Sequence, residues 1–242
     1  KKEQLQGKNE PALLLVKGTV TVDGGKKKLV WNETHLVEPH GKGASGSLTD
    51  LIGGGGSGVV MDDGALVFPM QAKGKDGTSV SLSMSFDPSA KWRLSSTRLG
   101  NGCRDPALAK WEKYEGEYDE ILFMMAHCAG GYYDVYKSTS HGINWNTLGV
   151  TITRVWGNSH NRKGYGVQSG STTAIIEEKE VMLITAPVYL KDDNKGGKGR
   201  LHLWVTDNAR VYDVGPVSRE NDDAAASSLL MNSGKDNNKE LI

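Results

Sequence analysis

Asp105 stands directly before Pro106 in the string Gly102-Cys103-Arg104-Asp105-Pro106. A carboxylate there can work as a general base, and an acidic residue before proline also forms turns. Lys198 and Arg200 lie two apart, a spacing that puts both cations on one face of a strand. The six histidines, His35, His40, His127, His141, His160 and His202, show no pair at metal-ligand spacing, so no metal site is predicted. Cys103 and Cys128 are the only cysteines, and spacing leaves their pairing open. The run Gly53-Gly54-Gly55-Gly56-Ser57-Gly58 invites a phosphate-loop reading, but no Lys-Ser or Lys-Thr follows it. It reads instead as a backbone loop feeding a strand at Val59. None of these features implies a cofactor.

The elements that must position these residues are strands. The 242 residues carry 31 glycines, and the short apolar runs are cut by turn dipeptides. Val59-Val60-Met61 and Ala65-Leu66-Val67-Phe68 flank Asp62-Asp63-Gly64, where Asp-Gly supplies the positive φ of a tight hairpin. Thr173-Ala174-Ile175-Ile176 and Val181-Met182-Leu183-Ile184 flank a charged turn at residues 177–180. Further strands are expected at residues 80–85, 121–126, 132–136 and 201–206, the last alternating strictly between two faces. Ala224-Ala225-Ala226 is compatible with a short helix or a buried strand. The chain reads as all-β. Its 29 basic and 29 acidic side chains balance, which argues against a nucleic-acid partner. The longest apolar run, residues 12–16, is far below the roughly 20 residues of a membrane span.

Two segments fit the frame Ser-x-Asp-x-Gly-x-x-Trp with one mismatch each. Ser85-Phe86-Asp87-Pro88-Ser89-Ala90-Lys91-Trp92 has Ser89 in place of Gly, and Ser138-Thr139-Ser140-His141-Gly142-Ile143-Asn144-Trp145 has Ser140 in place of Asp. Such a segment is a hairpin clasp, the degenerate Asp-box. Side-chain oxygens satisfy the turn, Gly takes the left-handed conformation, and Trp is expected to pack back on its own hairpin. The spacing of the two copies is that of propeller blades, which repeat at roughly 40–50 residues. The role of the clasp is structural.

Gly102-Cys103-Arg104-Asp105-Pro106-Ala107-Leu108-Ala109-Lys110-Trp111 resembles the Gly-Cys-Ser-Glu-Pro-x-x-x-x-Trp segment of the trypanosome trans-sialidase family. Thr153-Arg154-Val155-Trp156-Gly157 is similar to that family's Ser-Arg-Val-Trp-Gly string, and residues 201–215 follow the family closely. The resemblance implies a six-bladed β-propeller of sialidase type, with residues 1–242 an incomplete fragment supplying its middle and later blades. The opening blade, with the first Arg and the Asp acid/base, is expected upstream, and a lectin-like domain downstream.

Sialidase chemistry needs three arginines for the substrate carboxylate, a Tyr nucleophile and its activating Glu. In the register of the resemblance, the Glu falls on Asp105, one methylene shorter. The second arginine falls on His127, which lacks the planar fork of donors. The third falls on Lys198, with Arg200 two residues on. The sugar-stacking Trp falls on Gly196. The Tyr falls on Ala226, before Ser227-Ser228, and the nearest other candidate, Tyr212, already matches its own string. The pattern is that of the non-enzymatic branch of the family, which implies a lipid-anchored cell-surface adhesin. Its expected partners are a host-cell receptor, a mucin or a sialylated glycan. Asp105, Lys198 and Arg200 are the ligand-binding candidates, and Asn32-Glu33-Thr34 is a glycosylation sequon at Asn32. The alternatives are an active exo-α-sialidase or trans-sialidase, and a sialoside-binding lectin without catalysis. Residues 42–58, 157–170 and 191–199 are the polar loops expected to make contact.

Overall fold

The computed structural model describes residues 13–39, 48–87, 91–100, 102–111, 120–128, 133–147, 167–189, 198–233 and 239–241. Ser89, Gly196, the 153–157 string, residues 42–47 of the first polar loop and most of the other two loops lie outside them. Every regular element is a strand. Among the described residues no helix is long and apolar enough to cross a membrane.

Three meandering antiparallel sheets form the body. The first joins β3 (Thr49–Gly53) and β4 (Val59–Val60) to β5 (Leu66–Lys73), followed by β6 (Ser79–Phe86) and β7 (Trp92–Leu94). The second is β8 (Arg104–Trp111), β9 (Ile121–His127) and β10 (Tyr133–Ser138). The third is β11 (Gly170–Ile176), β12 (Lys179–Tyr189), β13 (Gly199–Thr206) and β14 (Val211–Pro216). In the second and third sheets neighbouring strands are also sequence neighbours, whereas in the first β3 and β4 both pair with β5. Met61 and Ala65 close the Asp-Gly hairpin as expected, with Gly64 at φ 85°. The β11–β12 turn is tighter than the charged 177–180 stretch suggests. It consists of Glu177 and Glu178, both left-handed, the conformation of a two-residue type I′ turn.

The sheets stack on apolar faces as propeller blades do. Met61, Val67 and Leu99 of the first sheet region meet Leu108, Leu122, Met124 and Trp145 of the second. Trp111, Phe123, Met125 and Tyr133 of the second meet Met182, Ile184, Ala186 and Trp204 of the third. Outside these blades, β15 (Met231–Ser233) pairs with β16 (Lys239–Leu241). The long hairpin of β1 (Leu13–Asp23) and β2 (Lys26–Val37) touches the first sheet's core through Leu13, Leu15 and Val37. It leaves Leu14, Val22 and Trp31 more than 60% exposed. Asn32 of the sequon is exposed on β2.

The second clasp forms, with a correction to where its Trp packs. Ser138 Oγ accepts the Gly142 N–H at 3.1 Å, and Ser140 Oγ accepts the Asn144 N–H at 3.0 Å, so the shorter Ser140 does the work of the expected Asp. Trp145 Nε1 lies 2.9 Å from Gly142 O on its own turn and 2.9 Å from Ser83 Oγ on β6. Its ring is therefore not confined to its own hairpin: it is buried between two blades. Trp92 instead packs against Phe86 and Phe68, within its own sheet.

Candidate functional site

The inner strands converge at a hub. The glycine run lets β3 and β4 press against the start of β8. A Cβ at Gly54 would sit 2.4 Å from Pro106 O, and one at Gly55 would sit 2.7 Å from Asp105 O. Gly55 N–H donates to Pro106 O at 2.9 Å instead. The run is thus more than a loop feeding Val59: it is the contact between two blades. Residues 224–229 cross the same end of the third sheet without forming a helix or a paired strand. Ala224 N–H bonds Gly199 O at 2.8 Å, and Gly170 N–H donates to Ser227 Oγ at 3.1 Å. Ser227 Oγ also accepts from Thr185 Oγ1 at 2.7 Å and donates to Thr185 O at 3.1 Å. A cavity of about 310 Å³ opens here, lined by Gly54, Gly56, Ala107, Ser169, Ser171 and Ser228 among others. Serine hydroxyls and glycine backbone make up most of its walls, with Ala107, Leu108 and Leu229 beside them.

Asp105 sits in a β-bulge at the start of β8, at φ 52°. Aspartate tolerates this left-handed conformation better than most residues. Its N–H donates to Gln71 Oε1 at 2.7 Å, and its carboxylate lies 3.6 Å from Arg104 Nε. Ala226 is exposed, and its methyl offers no nucleophile.

His127 ends β9 and is paired in register with Arg104. It is 4% exposed, with its ring edge against Tyr133 at 4.6 Å between centroids. Burial, with a smaller contribution from Arg104's charge, pushes its pKa down to about 4. The imidazole is neutral at pH 7 and supplies no cation. Tyr133 is bonded through its hydroxyl to Ser169, and burial pushes its phenol well above the usual range. That phenol stays protonated.

Cys103 and Cys128, immediately outside Arg104 and His127, form a disulfide with Cα atoms 4.3 Å apart. The pairing that spacing left open follows from the β8–β9 register. Asp134 completes a cluster of ligand-type atoms with these sulfurs, but the sulfurs are bound to each other. Lys198 is exposed and donates to Asn221 O at 3.2 Å. Arg200 is half-buried on β13, and its Nε is buried without a hydrogen-bond partner among the described residues.

The blade stack and a hub built from the first strand of each sheet define a β-propeller of the sialidase class. The whole chain, residues 1–242, matches the BNR repeat-like domain family and belongs to it. It is 33% identical over 186 residues to a sialidase of Trypanosoma cruzi, spanning 76% of this chain and 15% of that protein. It is 33% identical over 208 residues to Sialidase 85-1.1 of Trypanosoma cruzi, spanning 84% of this chain and 26% of that protein. Trypanosoma rangeli sialidase, in complex with 2,3-difluorosialic acid as a covalent intermediate, superposes with a TM-score of 0.73 at 29% identity. That match covers all of this chain and 38% of the other. The same enzyme in complex with sialic acid gives 0.74 at 30% identity, over 94% of this chain and 35% of that one. The chain therefore spans well under half the length of each relative. These matches place it among the sialidase-like proteins.

Sequence reasoning passed over Arg104. The signal was present, since Arg104 stands where the resembled segment has Ser, but only the register puts it beside His127.

Proposed function

We propose that this chain is a non-catalytic glycan-binding module of a cell-surface, sialidase-like protein, engaging a mucin or sialylated receptor on a host cell. The observation that carries the reading is Ala226. In the register of the resemblance the family's nucleophile position falls on Ala226, a methyl group exposed on a segment whose neighbour Ser227 is tied into the third sheet. Asp105 has no tyrosine hydroxyl bonded to it among the described residues; its carboxylate faces Arg104 instead. Without a nucleophile the two-step retaining reaction loses its first step, a loss of orders of magnitude in rate.

The test is turnover of a fluorogenic sialoside by the full-length protein, with lactose as acceptor in a parallel assay. The expected outcome is no released aglycone and no sialyllactose, together with saturable retention on sialylated mucin that fades after the mucin is desialylated. Steady turnover would return the protein to the enzymes. Equal retention on desialylated mucin would remove sialic acid from the reading.

A further inference from the structure

We propose that Asn32 carries an N-linked glycan, held on the polar face of the β1–β2 hairpin and pointing away from its apolar face. The inference rests on the cell-surface part of the reading above and is independent of what the hub binds.

Three observations carry it. The first is the acceptor. Asn32-Glu33-Thr34 is the only Asn-x-Ser/Thr string in the 242 residues, and its middle residue is not proline. The second is the place. The hairpin meets the first sheet's core through Leu13, Leu15 and Val37, all at its open end. Beyond them every residue from 16 to 36, Asn32 and Thr34 included, is exposed. Asn32 also lies in a β-bulge: Val16 pairs with Thr34 and Gly18 with Trp31, so Asn32 and Glu33 together stand opposite Lys17.

The third observation is the face. Cross-strand partners share a face of a sheet, and successive residues alternate between faces. Val20 with Leu29 and Gly18 with Trp31 therefore lie on one face. That face is apolar and close-set, since a Cβ at Gly18 would come within 2.9 Å of Leu29 and 3.1 Å of the Trp31 ring. Thr19 with Val30 and Thr21 with Lys28 lie on the other face. Asn32 belongs to this second set, because its Nδ2 donates to Thr19 Oγ1 at 3.5 Å. A glycan on Asn32 thus leaves from the threonine face, away from Val20, Leu29 and Trp31.

The chemistry of the transfer fits the rest of the chain. It takes place in the oxidising compartment in which disulfides form, and Cys103 is bonded to Cys128. Asn32 Nδ2 attacks C1 of the first sugar of an oligosaccharide carried on a lipid pyrophosphate. An N–C bond forms, the bond from C1 to the pyrophosphate oxygen breaks, and Nδ2 gives up one proton as the lipid pyrophosphate leaves. One hydrogen stays on Nδ2, enough to keep the contact with Thr19 Oγ1.

The experiment takes the full-length protein from a eukaryotic host cell, treats it with N-glycosidase in heavy-oxygen water and digests it. Release of a glycan converts Asn32 to an aspartate carrying heavy oxygen, which mass spectrometry of the peptide reads directly. Most molecules are expected to carry the label. Asn32→Gln and Thr34→Ala should abolish it, whereas Thr34→Ser, which keeps the acceptor string, should retain it. Circular dichroism shows whether each variant is folded, and thiol alkylation shows whether Cys103 and Cys128 are joined. Disulfide-bonded protein with unlabelled Asn32 overturns the proposal and leaves the cell-surface reading standing. Reduced cysteines together with unlabelled Asn32 overturn the cell-surface reading and the proposal with it. Hydroxyl-radical footprinting before and after glycan removal tests the face: Trp31 oxidation should not change, and a clear rise would place the glycan over the apolar side and overturn that assignment.

Discussion

The clasp at Trp145 and the hub at Asp105 are built from the same kinds of residue and end in opposite conditions. At the clasp the polar atoms close on one another. Ser138 and Ser140 bond within the clasp turn, the Trp145 ring N–H reaches Ser83 on the neighbouring blade, and the ring is 5% exposed. At the hub the charged side chains reach the surface. Arg104 and Asp105 are both 46% exposed at 3.6 Å, and Arg200 Nε is buried without a partner among the described residues. The difference shows where substitution acts. Ser140 in place of Asp leaves the clasp working, because the partner is internal and a hydroxyl reaches it. At the hub, Ala226 presents a methyl group to solvent and His127 a buried, neutral imidazole.

The comparison breaks most visibly at Trp145. Trp145→Ala should cost about 3–5 kcal/mol, since it empties a site between two blades and strands Ser83 and Gly142. Urea denaturation measures it, and a loss below about 1 kcal/mol would mean the inter-blade contact is not what holds the sheets.

The hub's largest stability effect is expected in acid. The His127 imidazole titrates at about 4 in the fold, against 6.5 ordinarily. As pH falls below 6.5 the unfolded chain takes up a proton that the fold refuses, so stability declines between about 6.5 and 4 and levels off below. At 1.36 kcal/mol per pKa unit the decline is on the order of 3 kcal/mol. Denaturation midpoints across that range, for wild type and His127→Gln, sharpen the point: the variant should lose most of the slope. An identical slope in both would assign the acid sensitivity elsewhere.

The smallest effect returns to the clasp. Ser140→Ala removes the acceptor for the Asn144 N–H and should cost about 1 kcal/mol. Ser140→Asp should match or exceed wild type in thermal midpoint. A clear loss in Ser140→Asp would show that the hydroxyl, and not merely an oxygen at that reach, is required.

Much of this was readable from the chain. The alternation of residues 201–206, the Asp62-Asp63-Gly64 turn and the second clasp frame each depend on residues a few positions apart, and all three appear as strands and turns in the fold. Ala226 was legible for a stronger reason. A methyl group has no nucleophile in any fold, so its chemistry needs no coordinates. Other features required the fold because they are set by register between strands. The bulge at Asp105 and the pairing Arg104 to His127 decide that Cys103 meets Cys128 and that Arg104 stands beside a buried imidazole. The glycine run shows its purpose only when Pro106 is seen filling the space a Cβ would need. Local spacing fixes which way a side chain leaves its strand; which partner it then meets is decided by how separate sheets are packed, and that packing is a property of the whole chain.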